Sequence, residues 1–250
     1  MLAGLCVEYY TRMERGKIGG ASESVLDAIA RVLQLDDDER AHLNDLARNV
    51  LPRPRRPRAQ PVTAITASVQ QVLDSMSVPA VIQNARLDIL AANALGRALY
   101  SVLFDGASST PNFARFAFLD SRASTFYPDI DDARDLVVGV LRATVGRDPL
   151  DRTTTELVGE LSTRSADFAF RWAKHDVRRH TRGRKLIHHP QIGQLDLTFD
   201  DFVLPVNGDL SITTYTALEG SPSADGIRLL VAQAALDSDA PSLILERTTQ

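Results

Sequence analysis

The sequence predicts an α+β fold: a partial all-α helix-turn-helix, then a larger domain whose antiparallel sheet is covered by helices. Three observations carry this expectation. The first fifty residues hold only short helical patterns separated by turn residues. The stretch from Leu51 to Pro61 then places four prolines in eleven residues, which forbids a continuous helix and favours an extended strap. In the last third the apolar period becomes two, with Leu195, Leu197 and Phe199 alternating with Asp196, Thr198 and Asp200. That is the pattern of a strand with one dry face and one wet face.

The elements follow in order. Ala3-Gly4-Leu5 reads as a turn, and Cys6 to Arg15 as a helix with Tyr10 and Met13 inward and Glu8, Tyr9, Thr11, Arg12 and Arg15 outward. Gly16 to Gly20 stops it. Ser22 is an expected N-cap for a helix carrying Val25, Leu26, Ile29, Val32 and Leu33, and Asp36 with Glu39 resembles a capping box for the next. Beyond the strap, Val62 to Met76 is expected to be helical. Residues 79–83 and 87–91 form a hairpin around Asn84-Ala85-Arg86, and Asn93 to Phe104 returns to helix. Further helices are expected over Asp129–Val145, Thr154–Leu161 and Ser165–His175. Strands follow at Lys185–His189, Gln194–Leu204 and Leu210–Ala217. A last helix starts at Ser221-Pro222. The domains expected are thus 1–50, the strap at 51–61, a ligand-sized domain at 62–240 and a tail at 241–250.

Composition sets outer bounds. With 250 residues there is room for one large or two small domains, and a net charge of −4 argues against coating nucleic acid through bulk charge. Cys6, the single cysteine, fits a reducing cytosol, and no run of about 18 apolar residues suggests a membrane span. Arg53, Arg55, Arg56 and Arg58 make the strap cationic, so it reads both as a solvated linker and as a phosphate contact.

Catalytic and metal motifs are not apparent. There is no nucleophile elbow or phosphate-cradling loop, and the five histidines, His42, His175, His180, His188 and His189, lack ligand spacing. No enzyme, metal or cofactor is therefore expected. The basic stretch Trp172 to Lys185 keeps two readings: a solvated helix end, or an anion contact to a ligand carboxylate or DNA phosphate. His175 stands out because it shares a helical face with Trp172. The aromatic set, including Phe118, Phe199 and Tyr215, reads as core or as the wall of an apolar pocket.

Two blocks carry a family resemblance. Leu2 to Gly16, followed by Ser24 to Leu43, resembles the phage-repressor (xenobiotic-response-element) type of helix-turn-helix. Pro79-Ala80-Val81, Leu90-Ala91-Ala92-Asn93, Trp172 to Val177, His189-Pro190 with Gly193 to Leu197, and Tyr215-Thr216-Ala217 with Gly220 to Ser223 resemble the bacterial MmyB-like transcription regulators. The resemblance implies a PAS-like ligand-binding domain, with a fatty acid or similar apolar molecule as ligand. It also implies a cytoplasmic homodimer acting on double-stranded DNA. Recognition would fall to Glu8, Tyr9, Thr11 and Arg12, with Arg15 and Lys17 on phosphates. Ligand contacts would come from Phe118, Trp172, His175, Phe199 and Tyr215, with Asn93 as polar anchor. The family carries two helices before the turn, and Met1 falls in or just after the second; Cys6 replaces a usual serine, and Ala92 and Ile130 replace tryptophans. The alternative expectation is accordingly a ligand-binding and dimerisation module without autonomous DNA binding.

Overall fold

The computed structural model describes residue 11 and residues 22–49, 65–105, 110–174, 182–204 and 210–239. Two helices open the described chain, α1 (Glu23–Val32) and α2 (Asp37–Asn49). The capping box at α2 is made: the Asp36 amide donates to Glu39 Oε2 at 2.9 Å, and the Glu39 amide donates to Asp36 Oδ1 at 2.8 Å. Ser22 differs from expectation. Its hydroxyl pairs with Ser24 Oγ at 2.8 Å and makes no side-chain cap, so α1 starts on the Ser22 carbonyl alone.

Helix α3 (Ala67–Asp74) is shorter than its sequence pattern because Thr66 starts it, accepting from the Val69 amide at 3.4 Å. Strands β1 (Ala80–Asn84) and β2 (Ile89–Ala92) form the expected hairpin. Its turn is tied by Asn84 Oδ1, which accepts from the amides of Arg86 and Asp88 at 2.9 and 3.1 Å. The later strands are β3 (Arg182–His189), β4 (Gly193–Leu204) and β5 (Leu210–Thr216). Together they make one antiparallel sheet in the order β2-β1-β5-β4-β3, the sheet of a PAS-like domain.

Helices α4 (Ala94–Leu99) and α5 (Ser101–Phe104) replace the single helix expected there. Tyr100 breaks it, with φ −108° and ψ 29°, and turns a fully buried ring against Phe113, Phe126 and Tyr215 at centroid distances of 5.0, 5.8 and 5.3 Å. Aromatic packing outweighs one turn of helix at this point. Helices α6 (Phe113–Leu119) and α7 (Ala123–Phe126) had no expectation at all. Their signal is weak because α7 spans four residues and α6 buries Phe113, Ala114, Phe116, Ala117 and Phe118, leaving only Arg115 exposed to set a period.

The long helix α8 (Ile130–Arg147) starts at Asp129, which accepts from the Asp132 amide at 3.0 Å, and its acidic first turn suits the helix dipole. Helices α9 (Arg152–Arg164) and α10 (Ala166–Ala173) follow, each capped by the preceding residue. Arg171 of α10 then reaches α8, meeting Asp135 at 2.6 Å while also pairing with Asp167 of its own helix at 2.8 Å. Helix α11 (Pro222–Asp239) closes the described chain, with the Ser221 hydroxyl accepting from the Ala224 amide at 3.2 Å.

The sheet divides the interior. Its inner face packs on the helices from α4 to α8 and on α10, while α3 covers Ala80, Ile82, Ala91 and Ile212 on the outer face. Helix α2 packs on α8, so the opening helical pair contacts the domain behind the sheet. No helix among the described residues is long and apolar enough to cross a membrane.

Two polar side chains hold this architecture at its seams. Asn93 is 3% exposed and spends its whole amide on backbone. Its Oδ1 accepts from the Ala80 and Gly96 amides at 3.1 and 2.7 Å, and its Nδ2 donates to the Val78 and Met76 carbonyls at 2.8 and 3.3 Å. Helix α4 is thereby bolted to β1, and a Cβ at Gly96 would strike the Ala80 carbonyl. Asn93→Ala leaves these groups unsatisfied and removes the cap, which should cost about 3 kcal/mol in urea unfolding.

His189 is fully buried at the end of β3. Its Nε2 donates to the Ala98 carbonyl at 3.0 Å, and its Nδ1 accepts from the Gln191 and Ile192 amides at 3.3 Å each. Both bonds to Nδ1 require a neutral ring, and burial holds the pKa below its usual value of 6.5. The folded state thus resists protonation that the unfolded chain accepts. His189 should contribute stability above about pH 6.5, lost as pH falls below it. Chemical denaturation across pH 5 to 7 checks this, and His189→Gln should flatten the dependence.

Candidate functional site

The inner face of the sheet is set by parity. In β4 the inward residues are Leu195, Leu197 and Phe199, and the next in phase is Asp201. β3 pairs Gly183 with Phe199, Lys185 with Leu197 and Ile187 with Leu195, so Lys185 shares the inner face with Ile187 and His189. β5 pairs Tyr215 with Phe199 and Thr213 with Asp201, and β1 sets Val81 against Thr213, with Gln83 next in phase. One end of the inner face is therefore apolar apart from His189, whose ring is bonded to backbone. The other carries Gln83, Lys185, Asp201 and Thr213.

Helix α8 lies over this polar end without sealing it. Between them is an inner chamber of about 50 Å³, roofed by Leu136, Val137 and Val140 and floored by Phe199, Tyr215 and the four polar residues. That is room for one or two waters. A cleft of about 360 Å³ opens beside it, between the N-terminal turns of α8 and strand β3, and shares Leu136, Lys185 and Phe199 with the chamber. Its size is at the lower end of ordinary ligand pockets.

The polar floor is a directed network. Gln83 Nε2 donates to Thr213 Oγ1 at 3.0 Å, and the Thr213 hydroxyl donates to Asp201 Oδ1. Burial raises the Asp201 pKa, opposed by the Thr213 bond and by Lys185. Lys185 has its ammonium near the rings of Tyr127, Phe113 and Phe199, at 5.0, 5.9 and 6.0 Å from their centroids. Burial lowers its pKa to about 8, against the pull of Asp201 and Asp132. The side chain keeps some accessible surface, because it borders both the chamber and the cleft. Behind it, burial raises the Tyr100 and Tyr215 hydroxyls well above their usual range, so both are neutral donors at any ordinary pH. The Tyr100 hydroxyl makes no hydrogen bond of normal geometry among the described residues.

The residues expected to meet a ligand separate. Phe199 and Tyr215 come together at the chamber. Phe118 and Trp172 do not: both pack on Phe168, at 5.0 Å edge-on and 5.5 Å stacked, within the α6, α8 and α10 core. Arg142 of α8 lies over the Trp172 ring at 4.7 Å and donates to its carbonyl, and Arg134 lies 5.6 Å from the Phe118 ring. Both aromatics pack within this core and line neither the chamber nor the cleft. Asn93 likewise has no amide position left for a ligand, its four bonds being taken by the backbone. His175 lies outside the described residues, as do Glu8, Tyr9, Arg12, Arg15 and Lys17; Thr11 is helical and half-buried. The polar residues of the chamber were missed. The signal for them was parity, because Lys185 is in phase with Ile187, and Asp201 with Leu197 and Phe199.

Among the described residues no cluster of three metal-ligating side chains occurs. An antiparallel sheet, a roofing helix and a small cleft with a few convergent polar groups define a ligand-binding domain of PAS-like type. The comparison with family models agrees: the MmyB-like transcription regulator ligand binding domain matches residues 65–230, and the chain belongs to that family. No curated protein matches the chain.

The ammonium of Lys185 should titrate near pH 8 rather than near the usual 10.5. Its deprotonated form is favoured by folding, so its contribution to stability rises as pH increases from about 8 towards 10.5. NMR titration of the lysine Cε resonances checks this, with Lys185→Arg assigning the signal.

Proposed function

We propose that this chain is a bacterial, cytoplasmic DNA-binding transcriptional regulator. Residues 1–50 form its helix-turn-helix head, 51–61 a cationic strap, and 62–240 a PAS-like domain that binds a small apolar or amphipathic ligand. A fatty acid is the first candidate. The family match over residues 65–230 carries this reading. Helix α8 supports it mechanically, since it roofs the cleft and also packs against α2 of the opening helical region. A ligand that moves α8 has a direct route to the head, provided it binds the two positions of the helix with different affinity.

On DNA, Glu8, Tyr9, Thr11 and Arg12 meet base edges, and Arg15 and Lys17 meet phosphates. The active form is a homodimer, as two half-sites one helical turn apart require. A dimer neutralising six phosphates loses about a thousandfold in affinity between 50 and 200 mM salt.

The test is a gel shift on the promoter region of the protein's own gene at those two salt concentrations. Specific, salt-sensitive retardation that weakens in Arg12→Ala is expected. Retardation with no sequence preference, or none, leaves the alternative of a ligand-binding and dimerisation module. Organic extraction and mass spectrometry of the purified protein examine the pocket separately. A recurrent amphiphile is expected, and consistently empty extracts count against a fatty acid.

A further inference from the structure

Of the 28 basic side chains in the sequence, three are lysines: Lys17, Lys174 and Lys185. Ion pairing falls to arginine, as at Arg86, Arg115, Arg134 and Arg171. Lys185 is the lysine placed inside. Its Nζ lies 5.0, 5.9 and 6.0 Å from the ring centroids of Tyr127, Phe113 and Phe199. Tyr127 walls the cleft, Phe113 the chamber and Phe199 both, so the nitrogen stands where the two spaces meet. No hydrogen bond or ion pair engages it among the described residues. Lys174, by contrast, is exposed at the end of α10. A guanidinium holds its proton at every ordinary pH, whereas an amine can shed its own and attack a carbonyl carbon. Burial brings the Lys185 pKa down to about 8, so about a tenth of it is free base at pH 7.

The charges around this nitrogen disfavour ions of either sign. Asp129 and Asp132 border the cleft and Asp201 the chamber, so an entering anion meets three carboxylates. A cation meets the ammonium itself, and Arg184 at the cleft is committed to Asp196 at 2.6 and 2.5 Å. We infer that Lys185 is a covalent attachment point for a small neutral aldehyde, which it holds reversibly as a protonated imine. This rests on the cleft admitting a ligand and is independent of DNA binding. The amine adds to the carbonyl carbon, and the resulting carbinolamine expels its oxygen as water. Ammonium and aldehyde thus become iminium and water, with no oxidant, reductant or net proton required. The iminium keeps the positive charge of the ammonium, so the same three carboxylates balance it. Asp201 gives one carboxylate oxygen to the Thr213 hydroxyl and has the other to carry the proton from nitrogen to departing oxygen. The chamber of about 50 Å³ has room for the water released. Three rings crowd the nitrogen, which favours a carbonyl carbon with one substituent over a ketone with two. That substituent lies in the cleft of about 360 Å³, room for a short chain or one ring.

Reductive trapping tests this. The full chain is incubated at pH 7 with octanal or benzaldehyde and sodium cyanoborohydride, then mapped by peptide mass spectrometry. The three lysines and the Met1 amine are the groups to follow, each on its own peptide. Lys185 should be alkylated at least about tenfold faster than Lys174, at a rate that saturates with aldehyde concentration. Without reductant the adduct should reverse on dilution. Octan-1-ol should slow the labelling of Lys185 and leave that of Lys174 unchanged. Lys185→Arg should lose this labelling alone, while still binding octan-1-ol in calorimetric titration. Equal rates at Lys185 and Lys174, or a Lys185 rate that rises without saturation, overturns the inference whatever the variant does. Octan-1-ol binding without selective trapping leaves the cleft as a ligand site and overturns the role of Lys185. If the native protein shows neither trapping nor octan-1-ol binding, the cleft assignment falls as well.

Discussion

An antiparallel sheet with a helix laid across its inner face governs this molecule. The strands β3, β4 and β5 pair residue for residue, so one choice of register sends Ile187, Leu195, Leu197, Phe199 and Tyr215 to the same side. Those side chains must be covered, and α8 with the shorter helices covers them. The same register sends Lys185, Asp201 and Thr213 inward at the other end of the sheet. A slip of one residue would expose the core and empty the cleft together. Fold and site thus share a single constraint.

The inner face is apolar along Ile187, Leu195 and Leu197 and polar where Gln83, Lys185, Asp201 and Thr213 border the chamber under α8. Burying charge is costly unless partners are supplied, and the chain supplies them selectively. Asp201 is satisfied by Thr213, which in turn accepts from Gln83. Arg171 gathers carboxylates from both α8 and α10 and ties the roof in place. Lys185 stands apart from this economy of partners. It lies on the inner face of the sheet, beneath the helix that contacts α2.

Much of the architecture was legible in the residues. The hairpin, the three late strands, the capping box at Asp36 and the Ser221-Pro222 helix start all follow from short-range rules of turn chemistry and period. Helices α6 and α7 escaped those rules because they are short, and in α6 five buried residues out of seven leave only Arg115 to mark a polar face. The break at Tyr100 escaped them because it is decided by Phe113, Phe126 and Tyr215, which are distant in sequence. At the site, Phe199 and Tyr215 could be read from alternation. Phe118 and Trp172 could not be told from pocket residues, since an aromatic pattern does not say which side of α8 it will pack on. Asn93 looked like a ligand anchor for a similar reason: a buried amide serves a helix cap and a ligand equally well until its partners are known.

By itself the sequence determined the α+β order, the antiparallel sheet and the family, because these depend on periodicity, turn residues and motifs that are local in the chain. Tertiary structure alone decided which inward residues meet. Lys185, Asp201, Thr213 and Gln83 come from four strands, and only strand pairing and the position of α8 set them around one space. Whether a charged side chain is solvated, paired or left with an open bonding demand depends on neighbours far away in sequence, and no local rule encodes it.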